Sequence, residues 1–303
     1  MHDFSKLVFA NWIRLVIINV VFWSVLVRGG GGESKGGGIS PLGSSQFEAS
    51  LTASSSFGTN IAVTFGSHVV ILSIKVRTNH DVLSIPPTTT TTTTTNTNVK
   101  ELSPNQLYCC MTGLACDVQH LYKSWANEII IQQEYYYAKH KIDQWIRTKM
   151  SEPLQYACWT SGRPFGIQAL FLSMKKNKNK RNNKERCTLY STDPSGQVRI
   201  WNGGATAIGK NASMIRKHLY EILSNRETPI QSWEDACQIA IQSLLMDKTD
   251  DDDDNDLLDD EKFDIQGSVI HSDGNNKPLF PIPQTFIRQC LEEYRTKQNA
   301  NKN

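Results

Sequence analysis

The chain has 303 residues, of which 39% are hydrophobic, so it is long enough to bury a large core. Its 32 basic and 30 acidic residues nearly balance, so the overall charge gives no reason to expect a nucleic-acid or membrane-surface partner. The seven cysteines include no Cys-x-x-Cys pair and the seven histidines are scattered, so we expect no disulfide framework, no metal and no cofactor.

The first 38 residues differ in composition from the rest of the chain, since they contain a long apolar run followed by glycine clusters. Residues 7–27 are largely apolar, but Arg14 lies among them, and an arginine at the centre of a membrane-spanning helix costs about 2.5–3.5 kcal/mol. We therefore favour an appended N-terminal extension over a secretion signal or membrane anchor, which stay open as alternatives. The glycine clusters at 29–32 and 36–38 predict a flexible linker after it.

The segment from Gly58 to Ile74 predicts a β-hairpin. Two runs rich in β-branched residues, 59–65 and 68–74, flank the turn residues Gly66 and Ser67. A further strand is predicted over 106–112.

Amphipathic helices are predicted where apolar residues recur every three or four positions. The first carries the stripe Val118, Leu121, Tyr122, Trp125 and Ile129. The other helical segments are 141–158, the stretch after Gly209 up to about Asn225, a helix capped by Ser232, and a short last helix over 286–294 after a final strand over 263–271.

Three low-complexity or charged segments predict surface insertions. They are the segment 86–98 with its threonine run, the basic run 175–186 and the acidic run 248–262. The basic run lacks the interleaved aromatic residues of a nucleic-acid site, and the acidic run lacks the glycine and final glutamate of a calcium loop. We therefore read all three as solvated loops.

The most informative stretch is 161–212. Asp193, Pro194, Ser195 and Gly196 predict a tight turn, because the proline sets φ and the glycine tolerates positive φ, so two antiparallel strands should pair across it. Gly209 lies where the last of these strands turns into a helix, a place where the chain packs closely.

Together with the run Arg163, Pro164, Phe165 and Gly166, which opens a strand, these motifs resemble the alpha-type subunits of the 20S proteasome. The corner at Met111–Asp117 is similar to the same family's strand-to-helix corner. The order of strands and helices predicts an α+β fold. The resemblance implies a four-layer αββα sandwich of two stacked antiparallel sheets covered by helices.

The resemblance implies a domain over 58–297, preceded by a degenerate alpha-type N-terminal segment at 39–57 and followed by a tail at 298–303. It implies a non-catalytic subunit of the outer ring and substrate gate, acting in ubiquitin-dependent protein degradation in the cytoplasm and nucleus. The implied partners are other alpha and beta subunits and the regulatory-particle ATPases, with no nucleic acid and no membrane. The resemblance also implies that Lys100 matches the lysine that alpha subunits place in the pocket between neighbouring subunits, where ATPase tails dock.

A different function is open at Thr59. Cleavage after Gly58 would make it the nucleophile of a beta-like threonine hydrolase, which needs the freed amine, an Asp-x-Arg sequence one strand later and a lysine. That strand ends here in Ile74, Lys75 and Val76, without the acid. A secreted or membrane-anchored protein is the other alternative, resting on residues 7–27 alone.

Overall fold

The computed structural model describes residues 41–76, 99–103, 106–135, 142–159, 163–175, 186–245, 263–271 and 279–302. Residues 44–303 form one compact unit. The predicted N-terminal extension and most of the three predicted insertions lie outside the described residues.

The first sheet, sheet A, begins with the predicted hairpin. Its strands are β1 (Thr59–Phe65), β2 (His68–Val76), β8 (Ala205–Gly209), β9 (Phe263–Ile270) and β10 (Leu279–Pro281). They lie in the order β10-β9-β2-β1-β8, and each neighbouring pair is antiparallel. The register places Phe65 opposite His68, which confirms the hairpin turn at Gly66 and Ser67.

The second sheet, sheet B, is built from the middle of the chain. Its strands are β3 (Val99–Ser103), β4 (Leu107–Gly113), β5 (Ile167–Lys175), β6 (Arg186–Thr192) and β7 (Val198–Trp201), and they lie in chain order. All pairs are antiparallel, and β6 pairs with β7 across the turn at Asp193–Gly196, as predicted.

The helices that the structure describes precede, connect and follow the strands. They are α1 (Pro41–Ser56), α2 (Ala115–Tyr135), α3 (Ile142–Trp145), α4 (Glu152–Trp159), α5 (Ala212–Ser224), α6 (Trp233–Leu245) and α7 (Gln284–Lys302). The apolar stripes of α2 to α4 pack on sheet B, those of α5 to α7 pack on sheet A, and a third cluster fills the space between the sheets. These three buried layers confirm the α+β class and the αββα sandwich.

The prediction of one continuous helix over 141–158 is wrong, because the structure divides this segment into three parts. The chain forms α3, then a π-helical turn over Ile146–Met150, and then α4. Pro153 is the physical reason, because it lacks the N–H that would continue the helical hydrogen bonds and is tolerated only in a first turn. The hydroxyl of Ser151 donates to Arg147 O at 2.6 Å, next to the break.

The C-terminal part also differs from the prediction. Strand β10 was not predicted, because three residues that end in Pro281 read poorly as a strand. As an edge strand β10 tolerates the proline. Helix α7 is longer than the predicted 286–294, because its apolar stripe ends at Tyr294 while the helix continues with polar residues to Lys302.

Candidate functional site

A cavity of about 280 Å³ opens at one end of the space between the two sheets. It is formed by the start of β1, the end of β2, strands β3 and β4, and the first turns of α2. The residues that line it are Phe57, Gly58, Thr59, Asn60, Ile74, Lys75, Lys100, Cys109, Met111, Thr112, Gly113, Ala115, Val118 and Gln119.

The charges in this cavity all have one sign. Lys75 and Lys100 line it, and none of its lining residues is acidic. The Lys100 ammonium lies 4.3 Å from the centre of the Tyr122 ring. Lys75 lies opposite Asp264 in the sheet register, and the Asp264 carboxylate accepts a hydrogen bond of 2.7 Å from Gln266 Nε2. The cavity is therefore suited to an anion.

Thr59, the nucleophile of the alternative hypothesis, is buried beside the cavity. Its hydroxyl donates to Lys210 O at 2.9 Å, and a peptide carbonyl cannot take up the proton as a general base would. Lys210 N in turn donates to Gly58 O at 2.9 Å. A side chain at Gly209 would place its Cβ 2.0 Å from Gly58 O, so only glycine fits there. The peptide bond between Gly58 and Thr59 is thus fixed by the hydrogen bond from Lys210 N and by close packing against Gly209.

Helix α1, which precedes Thr59, is attached to the wall of the cavity through Ser54. This serine is fully buried, and its carbonyl accepts a hydrogen bond of 2.8 Å from the Thr112 hydroxyl. Gln168 links the same serine to the Thr59 region, since its Nε2 donates to Ser54 Oγ at 3.3 Å and its Oε1 accepts from Gly209 N at 3.0 Å.

The predicted motif at 163–166 has a structural role. The Arg163 guanidinium donates to both oxygens of Asp117, at 2.6 and 2.9 Å, and Gly166 N donates to Asp117 Oδ2 at 2.9 Å. Burial raises the pKa of Asp117, but the hydrogen bonds from Arg163 and Gly166 N–H outweigh burial and lower it below its usual value. Pro164 is buried and Phe165 half-buried in the same corner.

The predicted turn at 193–196 docks on α4. Gly196 N donates to Asp193 O at 2.9 Å, and Ser195 N donates to Asp193 Oδ1 at 3.0 Å. Gly196 has φ of 76°, and its carbonyl accepts a hydrogen bond of 3.3 Å from Gln155 Nε2. Cys158 Sγ donates to Pro194 O at 3.0 Å.

The structure therefore separates the predicted site residues into groups. Lys100 lines the cavity, Gly209 lies behind Thr59, and the motifs at 163–166 and 193–196 hold corners of the fold. Sequence reasoning missed Asn60, which is 3% exposed and lines the cavity. It also missed the pairing of Asp117 with Arg163, since the two are far apart in the chain. The sequence pattern identified Lys75 only as the residue in the strand where a threonine hydrolase needs an acid, and not as part of a cavity.

Two stacked antiparallel sheets between helical layers, with a cavity at the start of the first strand, define the class of N-terminal-nucleophile hydrolase folds. Residues 57–258 match the family model described as Proteasome subunit. The match covers more than half of the 303 residues, so the chain belongs to the proteasome subunit family. This confirms the predicted resemblance at the level of the family.

No curated protein matches the chain. Within the described ranges, no helix is long and apolar enough to cross a membrane. The same part of the chain contains no group of three or more His, Cys, Asp or Glu residues that could hold a metal ion. The apolar run over 7–27 lies outside the described residues.

Proposed function

We propose that the chain is a non-catalytic, alpha-type subunit of the proteasome core particle. The hydrogen bond from the Thr59 hydroxyl to Lys210 O carries this proposal. In a threonine hydrolase the freed amine of the nucleophile takes the hydroxyl proton, and Thr59 would gain such an amine only by cleavage after Gly58. Lys75 stands in the strand where the enzyme needs an acid.

The anchoring of α1 supports the same proposal. Cleavage after Gly58 would remove Ser54, and with it the hydrogen bonds from Thr112 and Gln168. A buried donor that loses its partner costs about 1–3 kcal/mol. Retention of α1 is therefore favoured by the packing of the subunit itself.

Lys100 supports the choice of partners. It lines the cavity together with Gly58 and Gly113, and its ammonium can bind a carboxylate. We propose that the subunit assembles with other alpha and beta subunits, and that the C-terminal tail of a regulatory-particle ATPase docks at Lys100 in the pocket between neighbouring subunits. The proposed place of action is the ubiquitin-dependent degradation machinery of the cytoplasm and nucleus.

The test is Thr59→Ala in the assembled particle, with Thr64→Ala in the same strand as the matched control. We expect both variants to hydrolyse model peptides at the wild-type rate, because neither hydroxyl takes part in the reaction. N-terminal sequencing of the subunit should find no chain that starts at Thr59. A chain that starts there, together with loss of one peptidase activity in Thr59→Ala alone, would restore the enzyme hypothesis.

A further inference from the structure

Two histidines that are far apart in the chain lie side by side at one end of sheet A. His68 is the first residue of β2, and His271 directly follows β9. Val69 lies opposite Ile270, so the same register continued by one residue places His68 opposite His271. The centres of the two imidazole rings are 4.9 Å apart, and the ring planes make an angle of 68°. The pair therefore connects two strands that are neighbours in the sheet.

This histidine pair lies at the opposite end of sheet A from the cavity. Phe65 lies opposite His68 at the hairpin turn, whereas Thr59, which lines the cavity, is at the other end of the same strand. A strand rises about 3.3 Å per residue, so the seven residues of β1 span about 20 Å. The proposed function gives this end of the sheet no role.

The two ring nitrogens of His68 have different surroundings. Nε2 lies 3.5 Å from the Ser67 hydroxyl oxygen. Nδ1 is buried and forms no hydrogen bond with any residue that the structure describes. Buried polar atoms of folded proteins nearly always have a partner, and a neutral imidazole offers one nitrogen with a lone pair. A nitrogen of this kind beside a second imidazole is suited to binding a metal ion.

We propose that His68 Nδ1 and a ring nitrogen of His271 bind one divalent transition-metal ion, such as Zn²⁺. Imidazole nitrogen is a preferred ligand of Zn²⁺, Cu²⁺ and Ni²⁺. Two imidazoles bound to Zn²⁺ at about 2.0–2.1 Å and at a tetrahedral angle have ring centres about 5 Å apart, which matches the distance between these rings. The bound ion joins β2 to β9 beyond the last paired residues, Val69 and Ile270.

The exposure of the pair fits an ion that exchanges with solution. Both histidines are half-buried, so an ion in water can reach them. Two protein ligands leave the other coordination positions to water, so a chelator should remove the ion, unlike one in a closed site with four protein ligands. The spacing of histidines along the sequence gave no sign of this pair, because the sheet register brings the two residues together.

The test is equilibrium dialysis of the full chain against Zn²⁺ alone, with bound zinc measured by elemental analysis. We expect His68→Gln and His271→Gln each to weaken binding of one ion by at least about tenfold, since even the loss of an outer-shell partner costs that much. The double variant should lose the same single ion, because the two residues share it. His120→Gln is the matched control and should bind zinc like the wild type, since the His120 ring stacks on Phe165 and not on another histidine. Circular dichroism should show that each variant folds like the wild type.

A second measurement uses the wild-type chain and does not depend on the folding of variants. Diethyl pyrocarbonate acylates imidazole nitrogens that carry neither a proton nor a metal, and peptide mass spectrometry reports the modification of each histidine. Zn²⁺ should protect His68 and His271 together and leave His120 unchanged, and EDTA should reverse the protection.

Three outcomes would overturn the site. They are zinc binding that is equal in the wild type and the double variant, a loss in the double variant that is the sum of two separate losses, and modification of the pair that is the same with and without Zn²⁺. None of these outcomes bears on the proposed function, because the pair is distant from Thr59 and from the cavity.

Discussion

At the scale of single residues, Asp117 joins the start of α2 to the segment before β5. It is buried, whereas the Arg163 side chain is 57% exposed, so solvent screens much of the attraction between the two charges. The bond from Gly166 N–H is buried and is not screened in this way. The pKa of Asp117 is lowered in the folded chain, so ionised Asp117 stabilises the fold above the pKa it has when unfolded. This contribution is lost as the pH falls through the folded pKa.

We predict that Asp117→Asn lowers the free energy of unfolding at pH 7 by about 1.5–3 kcal/mol, the scale of one hydrogen bond to a charged group. As the pH falls through the folded pKa of Asp117, the difference from the wild type should shrink. Urea denaturation over a series of acidic pH values measures this. Glu152→Gln is the control, because its salt bridge with Lys149 is exposed, and it should change stability by less than about 0.5 kcal/mol. An equal loss in both variants would contradict the prediction.

Alanine substitutions at three glycines can distinguish the cost of backbone strain from the cost of steric overlap. Gly203 has space for a Cβ and an ordinary φ, Gly66 has space but a φ of 57°, and Gly196 has a φ of 76° with Gln155 Cγ 2.6 Å and Ser151 O 2.7 Å from the Cβ position. Alanine should therefore be tolerated at the first. At Gly66 alanine should cause backbone strain only. At Gly196 it should cause backbone strain and also overlap with α4.

We predict that Gly203→Ala leaves stability unchanged or raises it by up to about 1 kcal/mol. Gly66→Ala should cost about 1–2 kcal/mol, the cost of a left-handed conformation for an L-residue. Gly196→Ala should cost more than Gly66→Ala, because the turn must also move away from α4. Thermal unfolding of the three variants gives the order, and a smaller loss in Gly196→Ala than in Gly66→Ala would contradict the close packing of the turn at 193–196 on α4.

At the scale of elements, β5 and β6 are adjacent and antiparallel, with Lys175 opposite Arg186. The connection between them needs only a short turn to preserve this register. Replacing residues 176–185 by a four-residue turn should keep the fold and raise the free energy of unfolding by about 1 kcal/mol or less, since loop-closure entropy depends weakly on loop length. Urea denaturation measures the change. A large loss of stability would show that the segment contributes contacts of its own.

Elements with a strong local signal were predictable from the sequence, and elements set by distant contacts were not. The helix predicted after Ser232 forms as α6, and Ser232 Oγ accepts from Asp235 N at 3.2 Å, as expected of a helix cap. The buried residues of α6 include Ala236, Cys237, Ala240, Ile241, Leu244 and Leu245. The break in the second helix depends on Pro153, and β10 forms only because β9 offers it an edge. In the cavity, Lys100 came from the family resemblance. Asn60 had no signal, because one buried amide in a strand looks like any other polar residue.

At the scale of the whole molecule, the described chain leaves large aromatic side chains in water. Tyr156 and Trp159 on α4 are 71% and 74% exposed, and Tyr220 on α5 is 73% exposed. Aromatic residues are enriched at protein interfaces, because burying them on association stabilises the complex. Their exposure is consistent with a subunit that assembles with others, as family membership implies.

The last prediction concerns assembly. The affinity-tagged chain should co-purify and co-sediment with the other core subunits in its own cells, and mass spectrometry of the purified material should identify them. Gly203→Ala should assemble like the wild type. Gly209→Val should not, because its Cβ would lie 2.0 Å from Gly58 O and the start of β1 could not pack beside β8. A chain that sediments only as a monomer, in membranes or in the medium, would contradict the proposed function and favour the secreted or anchored alternative. A particle that forms equally well with Gly209→Val would show that assembly does not depend on the closely packed corner beside Thr59.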